Sequence, residues 1–306
     1  MTNLDKYKGI IPAFYACYDE AGNISGERVE KLANYYLDKG VKGLYVGGSS
    51  GECIYQTVEE RKLVLEHVMR AVGGKMTIIA HIAAPSTRDS VALAKHAESL
   101  GVDALAAIPP IYFVLPEAAI RAYWLAMVEA TKLDFIIYNI PQTTGYALSP
   151  KLFREMMSHS QVIGVKNSSM PVQDIYLFKH SSEKKAIVFN GPDEQFIAGR
   201  IMGADAGIGG TYGVMPELFI AANQAFAAND IQKAQEIQNS IDQIIFTMVQ
   251  AEGNLYAVMK RILAKHGMEI GTVRAPLPQV TEKDHTIIDK ADQLIQAAIA
   301  KYPLDK

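Results

Sequence analysis

Cysteine is nearly absent from the 306 residues, with Cys17 and Cys53 as the only two. Two thiols at that separation form neither a disulfide framework nor a metal-type spacing, which points to a reducing compartment, the cytoplasm. No apolar run approaches the ~18 residues of a membrane span, so no membrane partner is expected. The opening stretch "MTNLDKYKGIIPAFYACYDE" carries Asp5 early and lacks a long apolar core, so it does not read as a signal peptide. Neither sign of charge is in excess: 30 basic against 33 acidic residues give −3. No basic block interleaved with aromatics occurs, which argues against nucleic acid. The seven histidines are scattered, and no His/Cys/carboxylate cluster forms, so neither a metal nor a cofactor is expected. Phosphate-cradling GxxxxGK[ST] and GxGxxG loops are also missing.

What the sequence does contain is a repeated alternation. Short apolar runs at 9–18, 43–49, 77–83, 104–110, 135–141, 162–167, 186–192 and 206–212 are separated by amphipathic stretches. Near-continuous apolar strands imply a sheet covered on both faces, hence parallel. Between them lie helical patterns such as "SGERVEKLANYYLDKG", where Val29, Leu32, Tyr36 and Leu37 recur at helical spacing and Gly40 ends the run. Eight strand–helix units predict a (β/α)8 TIM barrel over 1–229 that carries the active site, with a C-terminal helical extension over 230–306. An open doubly wound sheet is the competing architecture, but eight units fit closure better.

In such a barrel every strand points its C-terminal end at one mouth. Polar residues gather there from distant parts of the chain: Ser49, Ser50 and Glu52, then Tyr112, then Tyr138 and Asn139. Lys166, Asp193, Glu194 and Gly210 follow. A lysine ending an apolar strand is ordinarily a solvated rim residue. At a crowded mouth it has a second reading, because a buried amine with a lowered pKa can condense with a carbonyl and activate the adjacent carbon–carbon bond. Tyr138, one strand away, is either a packed tyrosine or a proton shuttle. "GGSSGE" is either a capped turn or a carboxylate cradle of hydroxyls and backbone N–H groups. "NGPDE" either caps a helix or offers acceptors to a polyol. His81, near a strand end, reads as hydrogen-bonded structure rather than a ligand.

In combination and order, "GLYVGGSSGE", "YNIP" and "GVKNSS" resemble the N-acetylneuraminate lyase and dihydrodipicolinate synthase superfamily. The resemblance implies a class I aldolase on a (β/α)8 barrel, commonly a homotetramer acting on a small 2-oxo acid. It implies Lys166 as the Schiff-base residue, Tyr138 as proton donor and acceptor, and Ser49 and Ser50 at the substrate carboxylate. Tyr112 matches a tyrosine that crosses a subunit interface and joins Tyr138 and Ser49 in a relay. Thr143 stands where the synthase branch carries a carboxylate-binding arginine. Gly191, Asp193 and Glu194 stand where the lyase branch holds a sugar's hydroxylated tail. Ser168 and Gly210 replace a threonine and a serine of that branch; the first keeps a hydroxyl and the second removes one. The implied reaction is reversible cleavage of N-acetylneuraminate to N-acetylmannosamine and pyruvate. The alternatives are a dihydrodipicolinate synthase, another pyruvate-dependent aldolase, or a non-catalytic 2-oxo acid sensor.

Overall fold

Strands and helices alternate throughout the computed structural model, which describes residues 3–304. The first half runs β1 (Ile10–Pro12), α1 (Gly26–Asp38), β2 (Gly43–Val46), α2 (Val58–Val72), β3 (Thr77–His81), α3 (Thr87–Leu100), β4 (Ala104–Ala107) and α4 (Glu117–Glu129). It continues with β5 (Asp134–Asn139), the short α5 (Pro141–Thr144), α6 (Pro150–Met157), β6 (Val162–Asn167), α7 (Gln173–His180) and β7 (Ile187–Asn190). Next come α8 (Phe196–Ile201), β8 (Ala206–Gly209) and α9 (Pro216–Ala227). Three further helices follow: α10 (Ile231–Met248), α11 (Leu255–Lys265) and α12 (His285–Lys301).

The strands are all parallel, in the order β1-β8-β7-β6-β5-β4-β3-β2. A parallel bridge between Ala13 and Tyr45 joins the two ends, and Phe14 N–H donates to Tyr45 O at 2.9 Å. That bridge closes the barrel and excludes the open sheet. Of the run at 9–18 only Ile10–Pro12 forms regular strand. Beyond the closing contacts of Ala13 and Phe14 with Tyr45 the ladder stops, and Phe14, Tyr15 and Cys17 are apolar because they pack under the helices.

Inward residues form one compact cluster that includes Ile11, Tyr45, Ile79, Ile136, Tyr138, Ile163, Ile187, Phe189 and Ile208. Outward residues such as Val162, Val165 and Val188 join a second, larger core beneath the helices. Helix α1 shows the local logic. The Ser25 side chain accepts from Arg28 N–H at its N-terminus, and Val29, Leu32, Ala33 and Tyr36 form its buried stripe. Leu37 is only partly buried, packing at the edge of the core, and Ala33 belongs to the buried stripe as well. Gly40 follows in the left-handed region at φ +74°, where glycine has no steric penalty.

Strand β6 is irregular at a decisive point. Phe135 of β5 pairs with Val162, but the next residue, Ile136, pairs with Gly164, leaving Ile163 as an extra residue. Strict alternation from the inward Ile163 would place Lys166 on the outer face. The bulge resets the phase, so Lys166 pairs with the inward Tyr138 on one side and the inward Phe189 on the other. Only glycine fits at 164, since a Cβ there would lie 1.8 Å from Ile187 O. Bulges of this kind re-aim side chains next to active sites.

Candidate active site

Lys166, next to last in β6, is only 4% exposed, with Nζ 4.0 Å from the ring centroid of Tyr138 and 4.4 Å from that of Tyr45. Burial brings its pKa down from 10.5 to about 7, and the Asp193 carboxylate works against that fall. An amine so placed is partly neutral near pH 7 and therefore nucleophilic. Tyr138 is its in-register neighbour on β5. Burial pushes the phenol up to about 12, while the hydroxyls of Ser168 and Ser49 act on it in the opposite sense.

Beneath these groups the rings of Tyr45 and His81 pack edge-on against Tyr138, with centroids 5.8 and 6.0 Å away. His81 Nδ1 lies 2.9 Å from Gly47 O, so it carries the proton and donates. Burial takes that imidazole down to about 3, leaving it neutral and structural. An amide network braces the ends of β5 and β6. Asn139 Nδ2 donates to Asn167 Oδ1 at 2.8 Å, Asn167 Nδ2 to Ser169 Oγ at 2.9 Å, and Ser169 Oγ to Asp174 Oδ2 at 2.6 Å.

On the opposite wall Asp193 is buried, and its Oδ2 accepts from Thr211 N at 2.7 Å and Thr211 Oγ1 at 2.6 Å. Its Oδ1 is buried without a hydrogen-bond partner. Burial raises this carboxyl to about 7, against the lowering influence of Thr211. Glu194, by contrast, is exposed on the rim. Gly191 fits tightly beside Ser168, whose Oγ would be 1.9 Å from any Cβ added there.

These groups line one cavity of about 370 Å3 that brings together Lys166, Tyr138, Ser49, Ser50, Ser168, Gly191, Asp193, Glu194 and Gly210. Among the described residues lining it, Lys166 is the one cation. Tyr112 is not brought into it: the residue is 92% exposed at φ +81°, on a loop with the exposed Phe113 and Val114. Thr143 faces solvent on α5, its Oγ1 donating to Ile140 O at 3.3 Å. No group of three or more His, Cys, Asp or Glu among the described residues is arranged to hold a metal ion. No helix among them is long and apolar enough to cross a membrane.

A family model described as the dihydrodipicolinate synthetase family matches residues 6–297. The chain belongs to that family. A family member from Mediterraneibacter gnavus, an N-acetylneuraminate lyase, is 56% identical over 304 residues, covering 99% of this chain and 96% of its own. The N-acetylneuraminate lyase of Rhizobium meliloti is 33% identical over 287 residues, 94% of each chain. The solved structure of the catalytic lysine mutant of Ruminococcus gnavus sialic acid aldolase has a TM-score of 0.97 at 56% identity, covering 99% of this chain and all of that one. The family's synthase and lyase branches share the barrel, so the residues at its mouth must separate them.

Several residues of this mouth escape sequence reasoning. Tyr45 sits inside an apolar strand and reads there as core. Asn139 reads only as one more polar residue at the mouth and Asn167 as the start of a turn, although both are buried and bonded. Ile245, Leu255, Tyr256 and Met259 line the cavity from α10 and α11, far along the chain, and carry no local signal of it.

Proposed function

We propose that the protein is a Schiff-base-forming carbon–carbon lyase that cleaves N-acetylneuraminate reversibly to N-acetylmannosamine and pyruvate. The observation that carries this reading is the buried Lys166 amine, brought to about 7 and set against Tyr138 in a cavity that offers hydroxyls and a carboxylate. Lys166 Nζ attacks C2 of the open-chain sugar acid, and loss of water leaves an iminium. Ser49 and Ser50 hold the carboxylate. The C4 hydroxyl loses its proton, the C3–C4 bond breaks, and the electron pair passes into the iminium to give an enamine. N-acetylmannosamine departs as the aldehyde. Protonation at C3 and hydrolysis then release pyruvate and restore the amine.

Tyr138 is the proton carrier. At about 12 the resting phenol keeps its proton, so it accepts another only as it passes its own to a neighbour such as Ser49. The iminium helps, because a fixed positive charge next to the ring lowers the phenol's pKa during the step that needs a base. No cofactor enters this sequence of steps.

Substrate choice follows from the two ends of the cavity. A synthase acting on aspartate semialdehyde needs a cation for the second carboxylate, and a bidentate arginine is what meets that need. Thr143 supplies none. Gly191, Asp193 and Glu194 instead offer acceptors to a hydroxylated tail, with Gly210 leaving space beside Ser50. A sensor that binds pyruvate without turnover has no use for a tyrosine paired with the lysine.

We further infer a homo-oligomer, a tetramer by family resemblance. Three consecutive apolar residues, Tyr112 to Val114, are 92%, 73% and 96% exposed. A cleft of about 620 Å3 beside the active cavity shares Ser49 and Tyr256 with it. A second copy that inserts its loop there brings its Tyr112 to Ser49. The free thiols of Cys17 and Cys53 support a cytoplasmic location.

Borohydride reduction with pyruvate is the test. Peptide mapping should place the adduct on Lys166, and the same preparation should cleave N-acetylneuraminate and leave aspartate semialdehyde untouched. An adduct elsewhere removes the mechanism. Trapping without cleavage turns the protein into a sensor.

A further inference from the structure

Tyr256 and Lys260 stand four residues apart on α11 and so project from one face, a turn apart. Lys260 Nζ, its side chain fully buried, donates to Glu52 Oε1 at 2.8 Å and to Thr272 O at 2.7 Å. Glu52 Oε2 accepts the Arg274 backbone N–H at 2.8 Å. Glu52 ends the turn Ser49–Gly51, donating its own N–H to Ser49 O at 2.9 Å, and its backbone is left-handed at φ +54°. A residue with a Cβ stays in that region only where its surroundings hold it. Here a buried ion pair does so, and such pairs are weak stabilisers whose better use is to specify position.

The other end of the same turn meets the same helix. The Tyr256 phenol faces the Ser50 hydroxyl, and burial keeps the phenol protonated. A Cβ added at Gly210 would lie 3.1 Å from Ser50 Oγ and 3.8 Å from Tyr256 Cε1, so the three residues meet at one corner of the cavity.

We propose that α11 clamps the segment Ser49–Glu52 at both ends, Lys260 fixing Glu52 and Tyr256 orienting the Ser50 hydroxyl towards the substrate carboxylate. Both are positioning residues, acting through the segment rather than on the reacting atoms. This rests on the reading of Ser49 and Ser50 as the carboxylate site. The clamp therefore governs affinity for the part that pyruvate and the sugar acid share, and leaves the bond-breaking step largely alone.

Three variants decide it: Tyr256→Phe, Ser50→Ala and their double, each assayed for the pyruvate concentration that half-saturates borohydride trapping and for KM and kcat on N-acetylneuraminate. Tyr256→Phe should raise both concentrations by one common factor, roughly fivefold to tenfold for a single neutral hydrogen bond, with kcat within about twofold. In the Ser50→Ala background it should add less than about twofold, since a residue acting through Ser50 has nothing left to orient. Wild-type saturation in Tyr256→Phe, or multiplicative effects in the double variant, overturns the clamp. So does a fall in kcat alone. For the other end, Glu52→Gln with Lys260→Met removes both charges, and the folded double variant should also need more pyruvate; unchanged saturation refutes that half. Absence of a wild-type adduct on Lys166 marks failure of the catalytic reading itself. A normal wild-type adduct with Ser50→Ala saturating as wild type marks failure of the carboxylate assignment, and the clamp falls with it.

Discussion

Lys166→Met should make the protein more stable, and by an amount that depends on pH. The wild-type amine falls from 10.5 to about 7 because burial penalises its charged form. At about 1.36 kcal/mol per pH unit, that corresponds to a cost on the order of 5 kcal/mol for keeping the ammonium inside. Below pH 7 both folded and unfolded chains carry the charge, and the folded one bears the whole cost. Between about 7 and 10.5 the folded amine is neutral while the unfolded one stays charged, so the cost shrinks as pH rises. Methionine is close in length and never charged. Its advantage should therefore be several kcal/mol at pH 6.5 and should lose about 3 kcal/mol by pH 9.5. Titrating groups that do not interact with Lys166 are common to both proteins and largely cancel in the difference; Asp193 does interact with it, and losing the amine removes one influence that lowers its carboxyl. Trp124, the single tryptophan and fully buried, gives a fluorescence signal for urea unfolding at matched protein concentration. Stability curves that run parallel across this pH range would show that the amine is not desolvated, and the argument for its reactivity would go with them.

The same pKa makes trapping at Lys166 rise with pH through about 7, as initial rates at saturating pyruvate and borohydride will report; a flat profile contradicts it. Tyr138→Phe should still trap pyruvate while cleaving N-acetylneuraminate ~10²–10⁴-fold more slowly, which steady-state turnover reads directly. Glu194→Ala should raise the KM for N-acetylneuraminate and leave pyruvate trapping as it was, because pyruvate has no hydroxylated tail. Gly191→Ala places a methyl 1.9 Å from Ser168 Oγ and 2.8 Å from Asn167 O, so circular dichroism should show an intact fold while kcat/KM drops at least about tenfold.

Much of the barrel was legible because its strands are covered on both faces and so read as unbroken apolar runs. The eight runs contain or overlap all eight strands, and the exception in length, β1, is short because beyond Pro12 the chain leaves the regular ladder while Phe14 and Tyr15 stay buried under the helices. Lys166 stood out as a charge in such a run. Its orientation did not, since alternation from Ile163 points it the wrong way and only Gly164 hints at the slip. Serines and carboxylates after the strands were legible as polar clusters at one mouth. Tyr256 and Lys260 were not, because what matters about them is a contact 206 and 208 residues back along the chain, and neither breaks the amphipathic pattern of α11. Tyr112 carried a motif but no local reason for one, and it stands 92% exposed on its loop.

The extra residue in β6 means that the chemistry of this protein depends on parity. Counting from Phe135 and Val162, an odd step on one strand against an even step on its neighbour decides whether the amine looks into the mouth or into the helical layer. Substitution cannot change that count; only an insertion or a deletion can. Removing Ile163 would take out the extra residue and leave Val162, Gly164 and Lys166 in regular register against Phe135, Ile136 and Tyr138. One residue inserted after Gly164 would instead keep every functional side chain in the sequence and still turn Lys166 and Asn167 to the opposite faces. A transplant of "VIGVKN" into another barrel would carry the lysine but deliver the nucleophile only if the recipient strand beside it pairs with the same slip.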